Sequence, residues 1–269
     1  MGSPGAGPGP SSGGGAALPT ERGRTAKKAT KLDWQYPVFK REVTKRGGDA
    51  DNGTVARAAN VALPYEEAIL YIAGEDRRPL IILRECKQCN GTDDALLSRQ
   101  EDNTRTLLMT RWFRCVKLPM EVLEDNHPFH ALFEEEHPPH LFITRWDGSD
   151  PIPLRGDRSR SELWGNMQRM LESEYLGDSK KALKQLEMVL NQYDVMDQRI
   201  DRLEQSVEEE IENAGPKSRK LKKLRKDLAE AEEEMERLKK REQEVSDLKL
   251  KYLDKRWKAD NGGTEVAKL

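Results

Sequence analysis

Apolar residues form short, dense clusters through the middle of the chain and a sparse, regular beat through its last third. Pro79-Leu80-Ile81-Ile82-Leu83 is too short for a helix and rich in branched side chains, which predicts a buried strand. Leu141-Phe142-Ile143-Thr144 predicts a second, and Trp112-Phe113-Arg114-Cys115-Val116-Lys117-Leu118 alternates well enough for another. Asp147-Gly148 supplies a tight turn, after which Pro151-Ile152-Pro153-Leu154 returns as an edge strand, where proline is tolerated.

Helices are expected between these strands. Pro64 ahead of Tyr65-Glu66-Glu67-Ala68-Ile69-Leu70-Tyr71-Ile72 suits a short helix. Thr92-Asp93-Asp94-Ala95-Leu96-Leu97 predicts another with Thr92 as its N-cap, and Phe129 to Glu136 a third. Ser161 opens a helix that carries Leu163, Trp164, Met167, Met170 and Leu171 on one face. Trp164 and the methionines read as core, as does Cys115, a small apolar residue within its strand.

Beyond Gly177-Asp178 the beat changes. Leu186, Val189, Tyr193, Met196, Ile200, Leu203 and Val207 recur at steps of three and four, until Asn213-Ala214-Gly215-Pro216 stops the pattern. Leu221, Leu224, Leu228, Ala231, Met235, Leu238 and Val245 then repeat it. Two seams joined by a Gly-Pro turn predict an antiparallel coiled-coil hairpin over 179–257, with arms of about 35 residues and roughly 50 Å.

Composition limits the core. Of 269 residues, 35% are charged and 6% aromatic, so a modest α/β domain with extended, solvated parts is expected. Residues 1–31, rich in Gly, Pro and Ser and then basic, read as a disordered, solubilising tail, and 258–269 as a flexible one. Residues 32–62, with Trp34, Tyr36, Val38 and Phe39, form a linker or supply a first strand.

Net charge is −2 with both signs interspersed, and no aromatic accompanies the basic run Arg22–Lys28, so nucleic-acid binding is not expected. The basic KSRKLKKLRK at 217–226 is followed at once by the acidic AEAEEEMER at 229–237. No apolar run approaches the length of a bilayer span and no leader is evident, which favours a cytoplasmic setting.

Three cysteines, Cys86, Cys89 and Cys115, are too few for a disulfide scaffold. The first two have CxxC spacing, which in a reducing compartment points to redox or metal chemistry. All four histidines, His127, His130, His137 and His140, lie in two His-x-x-His pairs. Cys86, Cys89, His137 and His140 form a conceivable zinc or copper set. The stronger reading is of turn histidines, because HPFH and HPPH contain prolines. No cofactor is expected.

The order helix, strand, CxxC, helix, strand, short helix, strand, turn, strand, helix across 63–176 resembles the thioredoxin family. Three features carry the likeness: CKQC (86–89) directly after a buried strand, Pro139 ahead of HLFIT (140–144), where the family has its cis-proline, and Asp147-Gly148 with Gly156 after the next strand. The resemblance implies a thioredoxin-like α/β fold, a central mixed sheet flanked by helices, that exchanges disulfides with protein substrates. Cys86 would attack, Cys89 resolve, and Pro139 belong to the loop that presents backbone to substrate.

The chain also departs from the family. Glu85 stands at an aromatic position, Leu80 where thioredoxins bury an acid, and Asn90-Gly91 where the helix should begin. These departures predict a less activated or a retired thiol. They sustain a second reading, a non-catalytic scaffold whose hairpin docks a partner or self-associates.

Overall fold

Leu80, Ile81, Ile82 and Leu83 are all buried, yet they serve two different cores, because successive strand residues point to opposite faces. This strand lies at the centre of the computed structural model, which describes residues 22–40, 61–85, 96–97, 102–134, 140–154 and 159–253.

The elements in chain order are α1 (Arg24–Ala29), β1 (Trp34–Gln35), α2 (Tyr65–Ala73), β2 (Leu80–Arg84), α3 (Thr104–Thr110), β3 (Arg114–Leu118), β4 (Leu141–Thr144), β5 (Ile152–Leu154), α4 (Arg160–Glu174), α5 (Ser179–Ala214) and α6 (Arg219–Ser246). Short 3-10 turns cover Met120–Leu123, His130–Phe133 and Lys251–Leu253. The strands form one mixed sheet in the order β1-β3-β2-β4-β5. β1, β3 and β2 run parallel, whereas β4 is antiparallel to β2 and β5 to β4.

On one face, α2 and the His130–Phe133 turn bring Ile69, Ile72, Phe129 and Phe133 against Leu80, Ile82, Val116 and Phe142. On the other, α3, α4 and the base of α5 cover Ile81, Leu83, Cys115, Leu141 and Ile143. Each such aliphatic side chain contributes about 1.5–3 kcal/mol by leaving water. The turn after β4 holds Gly148 at φ 84° under α2, where an added Cβ would stand 2.9 Å from the Tyr65 ring.

The side chain of Asp178 caps α5 by accepting the Lys181 amide at 3.0 Å, and Gly215 at φ 77° ends the helix. Across the two long helices, Tyr193 pairs with Glu242, Arg199 with Glu234 and Glu210 with Lys220, so the helices run antiparallel. Their open end stays tied to the sheet body. Trp112 Nε1 donates to the Ser246 carbonyl at 2.9 Å, and the Leu176 amide to Lys249 at 2.8 Å.

Three expectations change. Residues 22–31, assigned by composition to the disordered tail, include the docked helix α1. Leu96 and Leu97, expected in a helix capped by Thr92, lie in a turn, Thr92 itself being outside the described residues; the next described helix starts at Thr104, whose amide and hydroxyl donate to Asp102. The boundary drawn near residue 178 divides one hydrophobic core, because Leu183, Leu186, Val189, Leu190 and Tyr193 of α5 pack with α3 and α4. The segment 32–62 does supply a first strand, β1.

Candidate functional site

β2 ends where β4 begins. The Arg84 amide donates to the His140 carbonyl at 2.7 Å, and the Glu85 amide to Leu118 at 2.8 Å, which gathers one end of β2, β3 and β4. The residues that follow Glu85 and precede His140 carry the sequence-level candidates. Cys86, Cys89, Pro139 and His137 lie outside the described residues.

Arg84 is 7% exposed. Its Nη2 donates to His140 Nδ1 at 3.0 Å, its guanidinium lies 5.7 Å from the Phe133 ring centroid, and its buried Nε has no hydrogen-bond partner. No carboxylate among the described residues pairs with it. A cation desolvated this way favours the anionic form of any group brought beside it. Arg84 is the residue that sequence reasoning missed. Its signal was a charge closing the apolar run LIILR, on the strand face of Leu80 and Ile82.

Burial first, and the Arg84 charge second, hold the His140 imidazole below its ordinary 6.5, so the ring is neutral at pH 7. With Nδ1 accepting from Arg84, the ring proton sits on Nε2. A metal ion gains little from an imidazole nitrogen already facing a guanidinium. The other described histidines serve the loop before the His130–Phe133 turn. His127 Nδ1 accepts the Phe129 amide at 3.1 Å, and His130 Nδ1 lies 3.3 Å from the Val122 carbonyl. Among the described residues no three His, Cys, Asp or Glu side chains gather as a metal site.

Cys115 sits mid-strand and 3% exposed, its Sγ 3.9 Å from the Thr110 carbonyl. Burial pushes its thiol up to about 12. It is core, as are Met167 and Met170. Trp164 lines an open groove between α3, α4 and α5, but Arg105 and Arg160 lie over its ring at 4.9 and 5.3 Å, which closes it to stacking ligands. No helix among the described residues is long and apolar enough to cross a membrane.

No family model, curated protein or solved structure matches the chain.

Proposed function

We propose that the chain is a thioredoxin-like protein that carries out thiol–disulfide exchange or redox sensing through Cys86 and Cys89. In this reading α5 and α6 form a coiled-coil hairpin for assembly or partner docking, and the substrates are protein thiols and disulfides. One observation carries the reading. β2 and β4 are antiparallel neighbours, and Arg84 at the end of β2 bonds to His140 at the start of β4. The chain therefore leaves β2 and enters β4 at one end of the sheet, as a cysteine pair facing Pro139 requires.

The chemistry needs no group from outside the two proteins. The Cys86 thiolate attacks a substrate disulfide, forming a mixed disulfide and releasing one substrate thiolate, which takes up a proton. Cys89, having lost its own proton, attacks Cys86 Sγ. The second substrate thiol leaves and a Cys86–Cys89 disulfide remains, so two electrons pass to the substrate. The reverse sequence oxidises it. Arg84 supports the thiolate by its charge, and Glu85 opposes it.

The test is a redox titration of the full chain in glutathione or dithiothreitol buffers, read by thiol alkylation. A reversible two-electron couple between roughly −300 and −120 mV is expected, abolished by Cys86→Ser. Absence of any such couple removes the reading.

The scaffold reading would then stand. It draws on the fully buried Leu80, which leaves β2 without the acid that thioredoxins use there, and on Glu85 beside the first cysteine.

A further inference from the structure

A second cluster lies far along the chain from the cysteines, where the N-terminal segment meets α5. Asp194, Asp197 and Asp201 are spaced three and four apart, so they share one helical face. Each of them holds the segment before β1. Asp194 accepts the Gly23 amide at 2.6 Å and Arg22 Nη1 at 3.0 Å. Asp197 accepts the Thr25 amide at 3.0 Å and the Thr25 hydroxyl at 2.8 Å, while Arg24 pairs with Asp201. Arg22 also donates to Asn191 at 2.7 Å.

These carboxylates do what α1 cannot do for itself. Its N-cap is Gly23, which has no side chain to accept the first helical amides. The fit is close there: an added Cβ would stand 2.7 Å from Asp197 Oδ2 and 3.0 Å from Asp194 Oδ1, so those carboxylates would have to shift. α1 has only six residues, too few to persist alone, and of its side chains only Ala26 is buried. Beside Ala26 only the partly buried Ala29, Leu32 and Trp34 add apolar contact, so the carboxylate bonds carry much of the docking; Asp194 and Asp197 are buried, and salt screens chiefly the outer pair. The Arg24–Asp201 pair is largely exposed, with side chains 69% and 49% accessible.

The same segment continues into β1, an edge strand with two paired positions, Trp34 with Cys115 and Gln35 with Val116. The Lys117 ammonium lies 5.1 Å from the Trp34 ring. Residues 22–35 thus span from the long helix to the edge of the sheet.

We propose that residues 22–35 form a detachable electrostatic strap, which negative charge at Thr25 releases from α5 while the rest of the protein stays folded. Release uncovers the acidic row of α5 and the backbone edge of β3, the kind of edge on which another extended segment can pair.

Hydrogen exchange of the full chain, read by mass spectrometry, tests this. In Thr25→Glu, amides of 23–35 are expected to exchange at least tenfold faster, with β2 and β4 unchanged. Asp197→Asn acts in the same direction, and Thr25→Val has a clearly smaller effect. Unchanged exchange in Thr25→Glu overturns the proposal. So does acceleration that appears only together with β2 and β4, or a Thr25→Val effect as large as that of Thr25→Glu. None of these outcomes depends on whether Cys86 and Cys89 form a redox couple.

Discussion

Desolvation inside β3 raises the Cys115 thiol from its ordinary 9.0 to about 12, and this has a consequence for alkaline stability. Between those limits the unfolded chain releases a proton that the folded chain keeps. The unfolded state then binds fewer protons, so stability falls as pH rises, by at most about 1.4 kcal/mol per pH unit for this one group. Tyr175 and Tyr193, both raised mainly by burial, add to the fall at higher pH. Urea midpoints measured from pH 8 to 11 are expected to drop, and Cys115→Ala to flatten the part of the slope nearest pH 9–10. A midpoint that rises over this range contradicts the burial of the thiol. Arg84 also keeps its charge inside the fold, where among the described residues it meets the Phe133 ring and the His140 imidazole.

Among the elements, legibility followed local strength. LIIL and LFIT are dense apolar runs, and they became β2 and β4 as read. The three-and-four beat of Leu186 to Val207 and of Leu221 to Val245 became two long helices. The misreadings lie where tertiary contacts decide. α1 has no apolar face of its own to announce it, because its partner is a row of aspartates about 170 residues away, as the pairing of Thr25 with Asp197 shows. β1 is two residues long, too short for any period to register. The helix expected at Thr92 rested on one capping residue, but Thr104 and Asp102 provide the turn that starts α3. Of the candidate site, CxxC spacing was visible in sequence, whereas the Arg84–His140 contact depends on strand pairing. The turn after β4 was legible from Asp147-Gly148, and it carries a sharp expectation. Gly148→Ala forces a Cβ at φ 84° to within 2.9 Å of Tyr65 and 3.0 Å of Ile69. A loss of about 1–3 kcal/mol is expected in equilibrium unfolding, larger than for Gly165→Ala, whose Cβ meets nothing within 4 Å.

At the scale of the whole molecule, sheet and long helices share one core. Leu183, Leu186, Val189, Leu190 and Tyr193 bury themselves against α3 and α4, while Tyr175 donates its hydroxyl to the Trp112 carbonyl at 2.6 Å. A chain shortened to end at residue 178 would expose that face of the sheet. Losing five large apolar contacts at about 1.5–3 kcal/mol each is comparable with the whole net stability of an ordinary domain. The shortened chain is expected to bind a hydrophobic dye and to lose its cooperative thermal transition. A cooperative transition near that of the full chain would show the sheet to be self-sufficient.

The return of the second long helix fixes how the molecule can be instrumented. Leu250 bridges back to Tyr175, so a label fixed at the exposed Lys249 rides beside the sheet. One at the exposed Lys217 rides at the far tip, roughly 50 Å away along a 36-residue rod. Energy transfer between two such dyes is accordingly a gauge of bending along the rod, whereas dyes at Lys249 and the exposed Leu176 form a short-range reference.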